Sequence, residues 1–282
     1  MKDNVLQRLD KLGLPDEALI QFMKLYDASK KVSFGKIGPR QDGYLCGDLK
    51  LPRCTSILQM DGSKAGALME WAKREVAKKV YDELEKKLKE GKVIGADDVD
   101  EACALGLADP DKQKNDAADK GTGVHDNIEN YLMGYQYTQD EPLERFKGAF
   151  AQANVICVAT EIPLVWYDVR GHGFGGRMDL LLYDLKRKEW FIGDNKTSRS
   201  VHESYGCQVA AYKAAIEQMT DYEMSVTGGM LFHIPDLNSL NNKQKIEYDK
   251  RGSLVQLKNL EEAFDHYRLL LELYYKRNNK YF

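Results

Sequence analysis

Residues 173–196 read GFGGRMDLLLYDLKRKEWFIGDNK, two apolar runs separated by a short charged segment. The runs predict strands at 173–183 and 189–196, joined by a hairpin turn. Each strand carries an aspartate among apolar neighbours, Asp179 in the first and Asp194 in the second. When the strands pair, both carboxylates can project from one face of the sheet at neighbouring positions. The hairpin therefore predicts the centre of a sheet and a candidate site on it.

Helices and strands on either side of this hairpin predict the rest of the sheet. The predicted elements are helices at 121–133 and 142–154, a strand at 155–167, the hairpin, a helix containing Val209, Tyr212, Ile216 and Met219, a strand at 225–234, and a helix at 260–275. Strands in this order, flanked by helices, predict a mixed central sheet covered on both faces. The expected fold class is α/β, of the mixed α+β type.

The first 120 residues have a different pattern. Apolar residues at helical spacing predict two short helices at the start and a long amphipathic helix at 64–89. Residues 33–54 are rich in glycine and proline and predict irregular or short hairpin structure. We therefore expect a mainly helical region at 1–120, followed by the sheet-containing core at 121–282.

Composition limits the class of protein. The 282 residues include 41 Lys and Arg against 44 Asp and Glu, which gives a net charge of −3. This balance excludes a strongly basic nucleic-acid coat but permits a local basic groove. The N-terminal segment is charged throughout, unlike a secretory signal, and no run approaches the roughly 18 apolar residues that span a bilayer. The composition predicts a soluble protein of the cytoplasm.

The five cysteines are Cys46, Cys54, Cys103, Cys157 and Cys207. Their number is odd, and no two of them are spaced as CxxC. This pattern argues against a disulfide framework, a structural zinc site and a four-cysteine iron–sulfur cluster. We expect reduced thiols and no iron–sulfur cluster.

The hairpin aspartates have the ligand chemistry of a divalent metal site. Carboxylate oxygens are hard donors that suit Mg²⁺ or Mn²⁺ better than Zn²⁺. Lys196 lies two residues beyond Asp194, so on a strand the two side chains point to the same side. Its ammonium group can orient a water nucleophile or stabilise charge on a phosphorane-like transition state. Because an unpartnered buried carboxylate is strongly unfavourable, the pair indicates either a cation or a salt-bridged structural site.

Other polar residues recur at spacings that fit the same site. Glu161 lies within a predicted strand and can supply a third carboxylate. His125 and Glu129 are four residues apart on one helix face, where a neutral imidazole can bind a metal. Gln208 and Tyr212 share a face of a later helix and can contact a phosphate or stack on a base. Each also has a structural interpretation, as an exposed glutamate, a solvated histidine or ordinary helix-surface residues.

Five segments carry a resemblance to a known family. In order, they are GTGVHDNIENYLMG (121–134), TEIPL (160–164), GFGGRMDLLLYD (173–184), FIGDNKTS (191–198) and QVAAY (208–212). Together they resemble the ordered motifs of the PD-(D/E)xK nuclease superfamily, in particular its RecB-type exonuclease branch, which includes the mitochondrial genome maintenance exonuclease and phage exonucleases. The similarity covers about residues 121–234. The segment LPRCTSILQ (51–59), followed by Leu68 and Trp71-Ala72, also resembles the N-terminal segment of those exonucleases.

The resemblance implies a restriction-endonuclease-like core and a role for each matching residue. Asp179, Asp194 and the Asn195 carbonyl match metal ligands, and Lys196 matches the catalytic lysine. Glu161 matches a strand glutamate that serves catalysis and metal binding. Two further matches complete the set: His125 is implied to contact a metal, and Gln208 and Tyr212 are implied to bind substrate. The chain departs from the family pattern at Met178, where the superfamily name has proline, and at Cys54-Thr55-Ser56 in the N-terminal segment.

The resemblance implies an exonuclease that hydrolyses DNA with one or two Mg²⁺ or Mn²⁺ ions. We expect it to act on single-stranded ends during replication, recombination or repair. Further substrate contacts are expected from Arg177, Thr197 and Ser198, and from Lys73 and Arg74 on the long helix. The interleaved glutamates of that helix equally fit a solvated surface. Residues 1–120 would then form a helical cap that controls DNA access to the core.

Three alternatives stay open at the level of sequence. The same fold can serve an endonuclease, an RNA-directed nuclease, or a non-catalytic subunit that binds DNA ends during recombination. The intact Asp–Asp–Lys set argues against the last of these, because a pure binder has no need of clustered buried carboxylates. Replication or recombination proteins are possible partners, and a phage origin would place the protein in the host cytoplasm.

Overall fold

Two compact units make up the protein. The computed structural model describes residues 2–39 and 41–278. Contacts group the residues up to Met60 with those from Asn127 onward as a core unit, and they separate Asp61–Asp126 as a helical unit. The sequence-based division falls at residue 120 instead, and the role of the first 120 residues as a cap stays a prediction.

In chain order, the elements are α1 (Lys2–Lys11), α2 (Asp16–Ser29), β1 (Val32–Gly38), β2 (Gln41–Cys46), β3 (Leu49–Pro52), α3 (Cys54–Leu58), α4 (Ser63–Lys89), α5 (Ala96–Met133), α6 (Glu141–Ala153), β4 (Ile156–Tyr167), β5 (Gly173–Asp184), β6 (Glu189–Lys196), α7 (Glu203–Met219), β7 (Val226–His233), a short 3-10 helix (Leu237–Ser239), α8 (Asn242–Arg251), β8 (Leu254–Leu257) and α9 (Leu260–Asn278). None of the helices, as far as the structure describes them, combines the length and apolar character that a membrane crossing requires.

The central sheet of the core unit has the strand order β4-β5-β6-β7-β8. The β6–β7 pair is parallel, and the other three pairs are antiparallel. This arrangement confirms the predicted mixed sheet. Each of the four strands predicted for it ends within one residue of the observed bounds, because apolar runs bounded by charged or glycine-containing turns mark strand ends well.

Helices cover both faces of this sheet. On one face, α7 and α9 pack on the strands, and the Phe174 ring of β5 lies 4.9 Å from that of Tyr267 on α9. On the other face, Phe146 of α6 lies 5.0 Å from Phe232 of β7, measured between ring centroids. Phe146, Phe232, Phe174 and Tyr267 are all fully buried. The aromatic contacts on both faces fix the sheet between its helices.

A second sheet occupies the segment for which irregular or short hairpin structure was predicted. Strands β1, β2 and β3 form an antiparallel sheet in that order. Its glycines serve close strand packing, since a Cβ on Gly43 would lie 2.3 Å from the Leu51 carbonyl oxygen. Glycine inside a strand weakens the alternating pattern from which strands are predicted. The prediction was therefore incomplete here.

The helical unit consists of α4 and the first part of α5. The absence of a side chain at Gly106 lets the helices approach, because a Cβ there would lie 2.7 Å from Val80 Cγ2. Lys87 Nζ forms an ion pair with Asp98 at 2.8 Å across the two helices. The α4 helix confirms the prediction for 64–89, but α5 runs unbroken through Pro110 where the sequence indicated a helix beginning at 121.

Candidate active site

The site begins where strands β5 and β6 separate. Their pairing runs from Asp184–Glu189 to Leu180–Gly193 and then stops. Strand β6 continues beyond this point with β7 as its partner, through Lys196 opposite His233. Asp179 bridges the resulting gap, because its Oδ2 accepts a hydrogen bond of 2.8 Å from the main-chain N–H of Asn195. A side-chain carboxylate thus takes the place of a missing sheet hydrogen bond.

Asp194 and Lys196 form a buried ion pair on the other side of the gap. Lys196 Nζ lies 2.9 Å from Asp194 Oδ1 and 2.7 Å from Oδ2. The Asp194 side chain is 1% exposed and that of Lys196 16% exposed. Burial alone lowers the pKa of Lys196, but the carboxylates of Asp194 and Asp179 outweigh burial and leave its pKa raised. The lysine is therefore a charged ammonium group in the folded protein.

Tyr205 holds this ammonium group from α7. Lys196 Nζ lies 5.0 Å from the centroid of the Tyr205 ring, within the range of a cation–π contact. The Tyr205 hydroxyl donates a hydrogen bond of 2.8 Å to Ser198 Oγ, and Ser198 donates one of 2.7 Å to the Ser200 carbonyl. The contact limits the directions in which the lysine amine can point.

Glu161 adds negative charge close to Asp179. In the β4–β5 ladder, Thr160 pairs with Leu180 and Ile162 pairs with Met178. Glu161 therefore lies opposite Asp179. Its backbone has a φ of 54°, in the left-handed region that non-glycine residues rarely adopt. Such strain in the middle of a strand marks a locally constrained position.

The surroundings of Glu161 disfavour its ionised form. Burial, followed by the charge of Asp179, raises the pKa of Glu161 to about 7, and Glu129 adds to this effect. Arg177 opposes it from a distance of 3.5 Å, too long for a strong pair. Glu129 Oε1 accepts a 2.9 Å hydrogen bond from Thr160 beside Glu161. The site therefore holds more carboxylates than its local cations balance.

This donor set fits a hard divalent cation. Within residues 2–39 and 41–278, no three His, Cys, Asp or Glu side chains stand close enough together to hold a metal by themselves. Asp179 and Glu161 face each other in the ladder, and Asp194 follows directly where the strands part. Carboxylate and main-chain oxygens, completed by water, are the ligands of Mg²⁺ and Mn²⁺. A cation would also relieve the repulsion from Asp179, which adds to burial in raising the pKa of Glu161.

The predicted substrate residues Gln208 and Tyr212 lie beside the site on α7. Gln208 Nε2 donates a hydrogen bond of 3.2 Å to the Tyr212 hydroxyl, and both residues are buried. Burial raises the pKa of Tyr212 well above its usual value, so the phenol stays neutral. Its ring lies against the backbone of β5, because a Cβ on Gly176 would be 2.3 Å from Tyr212 Cε1.

The contacts described above do not include several of the predicted residues. His125 lies on α5 within the helical unit. Lys73 and Arg74 are exposed on α4 of the same unit, where Lys73 pairs with Glu70 at 2.9 Å. Thr197 follows the end of β6 and is half-buried. Their roles stay predictions.

The Asn195 side chain also departs from the cluster. Alternation along β6 directs it away from the side of Asp194 and Lys196. Its Oδ1 atom is buried and has no hydrogen-bond partner in the part of the chain that the structure describes. Only its main chain takes part in the site, through the N–H that binds Asp179.

Comparison with known families assigns the chain to a superfamily of nucleases. Residues 75–274 match the family model of the PD-(D/E)XK nuclease superfamily, a match over more than half of the chain that includes all five strands of the central sheet. The chain belongs to this superfamily of nucleases, and its mixed sheet flanked by helices agrees with the restriction-endonuclease-like fold. Members of the superfamily generally use divalent ions such as Mg²⁺ or Mn²⁺. Comparison with curated proteins gives no match.

Proposed function

We propose that this nuclease is a metal-dependent exodeoxyribonuclease of the RecB-type branch, which hydrolyses single-stranded DNA from its ends during replication, recombination or repair. The observation that carries the proposal is the convergence of Asp179, Asp194 and Lys196 at the point where β5 and β6 separate. Three charged groups on the inner part of a sheet are unfavourable for stability alone. A catalytic role therefore explains their presence at one point better than a contribution to folding does.

Each side chain has a defined task in phosphodiester hydrolysis. Asp179, Asp194 and Glu161, with the Asn195 carbonyl, would hold one or two divalent ions. A bound Mg²⁺ or Mn²⁺ supplies Lewis-acid stabilisation of the phosphate oxygens and lowers the pKa of a coordinated water. Lys196, held charged by its carboxylate neighbours, is placed to orient the attacking water and to stabilise negative charge on the phosphate.

A cleavage assay distinguishes this activity from the alternatives of the same fold. The protein is incubated with DNA labelled at the 5′ or the 3′ end, single- or double-stranded, in Mg²⁺, Mn²⁺ or EDTA, with an RNA of equal sequence in parallel. An exonuclease releases short products progressively from one end and requires a divalent ion. Internal fragments would indicate an endonuclease, degradation of RNA alone would change the substrate, and binding without cleavage would indicate a non-catalytic subunit.

Substitution at the site provides the sharper test. Asp179→Asn is expected to lower the cleavage rate at least about 100-fold, because it removes a charged ligand. The folded structure should survive, since the asparagine carbonyl can still accept the N–H of Asn195. Cleavage rates and thermal unfolding of the parent and the variant are compared under the same conditions.

Lys196→Gln is expected to reduce cleavage by a similar factor, and it also leaves Asp194 without its buried partner. Breaking a buried pair destabilises by about 3–5 kcal/mol. Lys213→Gln is a matched control, because Lys213 and Glu217 form a 2.8 Å pair on α7 with both side chains 18% exposed. The control should lose some stability and keep cleavage. Full activity in a folded Lys196→Gln variant would remove this lysine from the mechanism.

A further inference from the structure

A cleft of about 420 Å³ lies along β5 in the core unit. Strand β6 pairs with β5 only from Leu180 onward, so the earlier part of β5 leaves this edge without β6. Arg53 occupies the edge instead and forms a parallel bridge with Gly175. The volume lies within the range of about 300–1,000 Å³ found for ligand sites. The cleft reaches Arg177, whose guanidinium group lies 3.5 Å from Glu161 of the candidate active site.

Two adjacent glycines of β5 let aromatic rings form the walls of the cleft. A Cβ on Gly175 would lie 2.3 Å from the side chain of Tyr44, and one on Gly176 would lie 2.3 Å from Tyr212. Tyr44 comes from β2 and Tyr212 from α7, and both residues line the cleft. Side chains larger than hydrogen on the strand would push these rings out of place.

Phe34 of β1 lines the cleft with an apolar ring that is partly exposed to solvent. It is 47% exposed, and its centroid lies 5.3 Å from that of Tyr44 in an edge-on contact. The guanidinium carbon of Arg53 lies 4.7 Å from the Phe34 centroid. A single exposed phenylalanine is common on protein surfaces. This ring differs because it lines a cleft and is oriented by both neighbours.

Two guanidinium groups lie along the same cleft and are accessible to a ligand. The side chains of Arg53 and Arg177 are 45% and 53% exposed. Among residues 2–39 and 41–278, their carboxylate contacts are long, 3.9 Å from Arg53 to Asp42 and 3.5 Å from Arg177 to Glu161. Guanidinium groups that are only loosely paired can bind phosphate oxygens in a bidentate manner.

We propose that this cleft binds an unpaired nucleotide of single-stranded DNA next to the active site, with the base on Phe34 and the adjoining phosphates on Arg53 and Arg177. Aromatic stacking together with a cationic groove is the general mode of single-strand binding. A base stacked on a side chain has left its duplex, so the cleft selects single strands. The inference rests on the proposed function and adds the residues that define its substrate.

Binding measured without cleavage tests the subsite. The full chain is titrated into a fluorescein-labelled oligothymidine in EDTA and in Ca²⁺, and fluorescence anisotropy gives the Kd. Phe34→Ala is expected to raise Kd about 5- to 150-fold, the range that corresponds to loss of one base–aromatic stack of about 1–3 kcal/mol. Phe34→Trp should preserve the parent Kd, because it keeps a stacking surface. Tyr167→Ala is a matched control, since this aromatic residue of β4 is 39% exposed and does not line the cleft.

Two further measurements locate the contacts. An oligonucleotide of abasic residues has no base to stack, so the parent should bind it about as weakly as the Phe34→Ala variant binds the intact strand. The abasic strand should have the same Kd for the parent and for the Phe34→Ala variant. Arg53→Gln should reduce the slope of log K against log salt by about 0.7, the value for one phosphate contact to a single strand.

The outcomes separate this inference from the proposed function. The subsite is overturned if a folded Phe34→Ala variant binds the intact strand as the parent does. It is also overturned if the variant binds the abasic strand more weakly than the parent does. In either case, cleavage by the parent still supports the proposed nuclease activity. If the parent and Lys196→Gln cleave equally, the catalytic proposal fails, but the binding results stand on their own.

Discussion

Single residues determine how closely the site can be assembled, and Gly176 is the clearest case. A methyl group there would meet the buried Tyr212 ring at 2.3 Å. Gly176→Ala is therefore expected to destabilise the protein by about 1–3 kcal/mol, because neither a buried ring nor a strand backbone can move freely. Urea unfolding of the variant and the parent gives the difference in the free energy of unfolding.

Gly206, at the start of α7, is the matched control for that substitution. A Cβ there meets nothing within 4 Å. Gly206→Ala should stabilise the helix by up to about 1 kcal/mol, because alanine is the better helix former. Opposite signs for the two substitutions would show that the contact with Tyr212 is decisive. Equal stability of Gly176→Ala and the parent would contradict the close packing.

The sequence could indicate some residues of the site and not others. Asp179, Asp194 and Lys196 stand out because charged residues inside apolar strands need a partner. Asp184 fits the same pattern at the end of β5, yet its Oδ1 accepts the N–H groups of Lys186 and Arg187 and closes the hairpin turn. Only the contacts distinguish this structural aspartate from its neighbours.

Tyr205 was missed as a part of the site for the opposite reason, and Glu129 was indicated only through its spacing from His125. Both lie on helices, where a glutamate or a tyrosine is ordinary, so no local pattern indicates their contacts with Thr160 and Lys196. The spacing of Glu129 four residues after His125 was the one available signal. The cleft residue Phe34 lies in a segment that the sequence did not resolve into strands.

At the scale of elements, His233 joins three of them. It ends β7 and is 1% exposed. Its Nε2 lies 2.7 Å from the Ser198 carbonyl after β6, and its Nδ1 lies 2.6 Å from Arg251 Nη2 at the end of α8. Arginine can only donate, so Nδ1 accepts and Nε2 carries the proton. Burial lowers the pKa of His233 to about 4, with the Ser198 hydrogen bond opposing and the Arg251 charge reinforcing this effect.

This arrangement predicts a loss of stability in mild acid. The unfolded chain binds a proton at His233 below a pH of about 6.5, whereas the folded chain binds it only below about 4. Between these values the unfolded state holds more protons, so stability falls as the pH decreases, by up to about 3 kcal/mol in total. Urea unfolding at pH values from 7 to about 4 measures this decline.

His233→Gln is the variant that isolates the histidine. Its amide nitrogen can still donate to the Ser198 carbonyl, but it does not titrate. The decline of stability between pH 6.5 and 4 should therefore be shallower in the variant than in the parent. Parallel pH curves for the two proteins would show that other groups, not His233, govern stability in acid.

Sequence patterns reveal elements in proportion to how much apolar surface each one buries. Four of the five strands of the central sheet, β4 to β7, were predicted because each contains a long apolar run. Helix α8 was not predicted, since it is strongly polar and Tyr248 is its only buried residue among those described. Strand β8 has four residues, too few for a recognisable alternation. Elements at the edge of the fold are the ones that sequence periodicity leaves out.

At the scale of the whole molecule, the net charge of −3 requires DNA affinity to come from local groups. The cap predicted for the first 120 residues includes nearly all of the helical unit, and α5 continues from that unit into the core unit. A cap over the active site would admit a strand only by its end. We therefore predict that a linear single strand is degraded and that a covalently closed circle of the same sequence resists degradation.

The measurement uses one preparation of circular single-stranded DNA. Half of the preparation is cut once per molecule to give a linear form with the same sequence and charge. Both forms are incubated with the protein in Mg²⁺, and acid-soluble nucleotides are counted over time. Because the two substrates differ only in having an end, a higher rate on the linear form isolates the requirement for threading. Equal rates would mean that the strand enters from the side, and the helical unit would then have to act in some way other than as a cap over the carboxylates of β5 and β6.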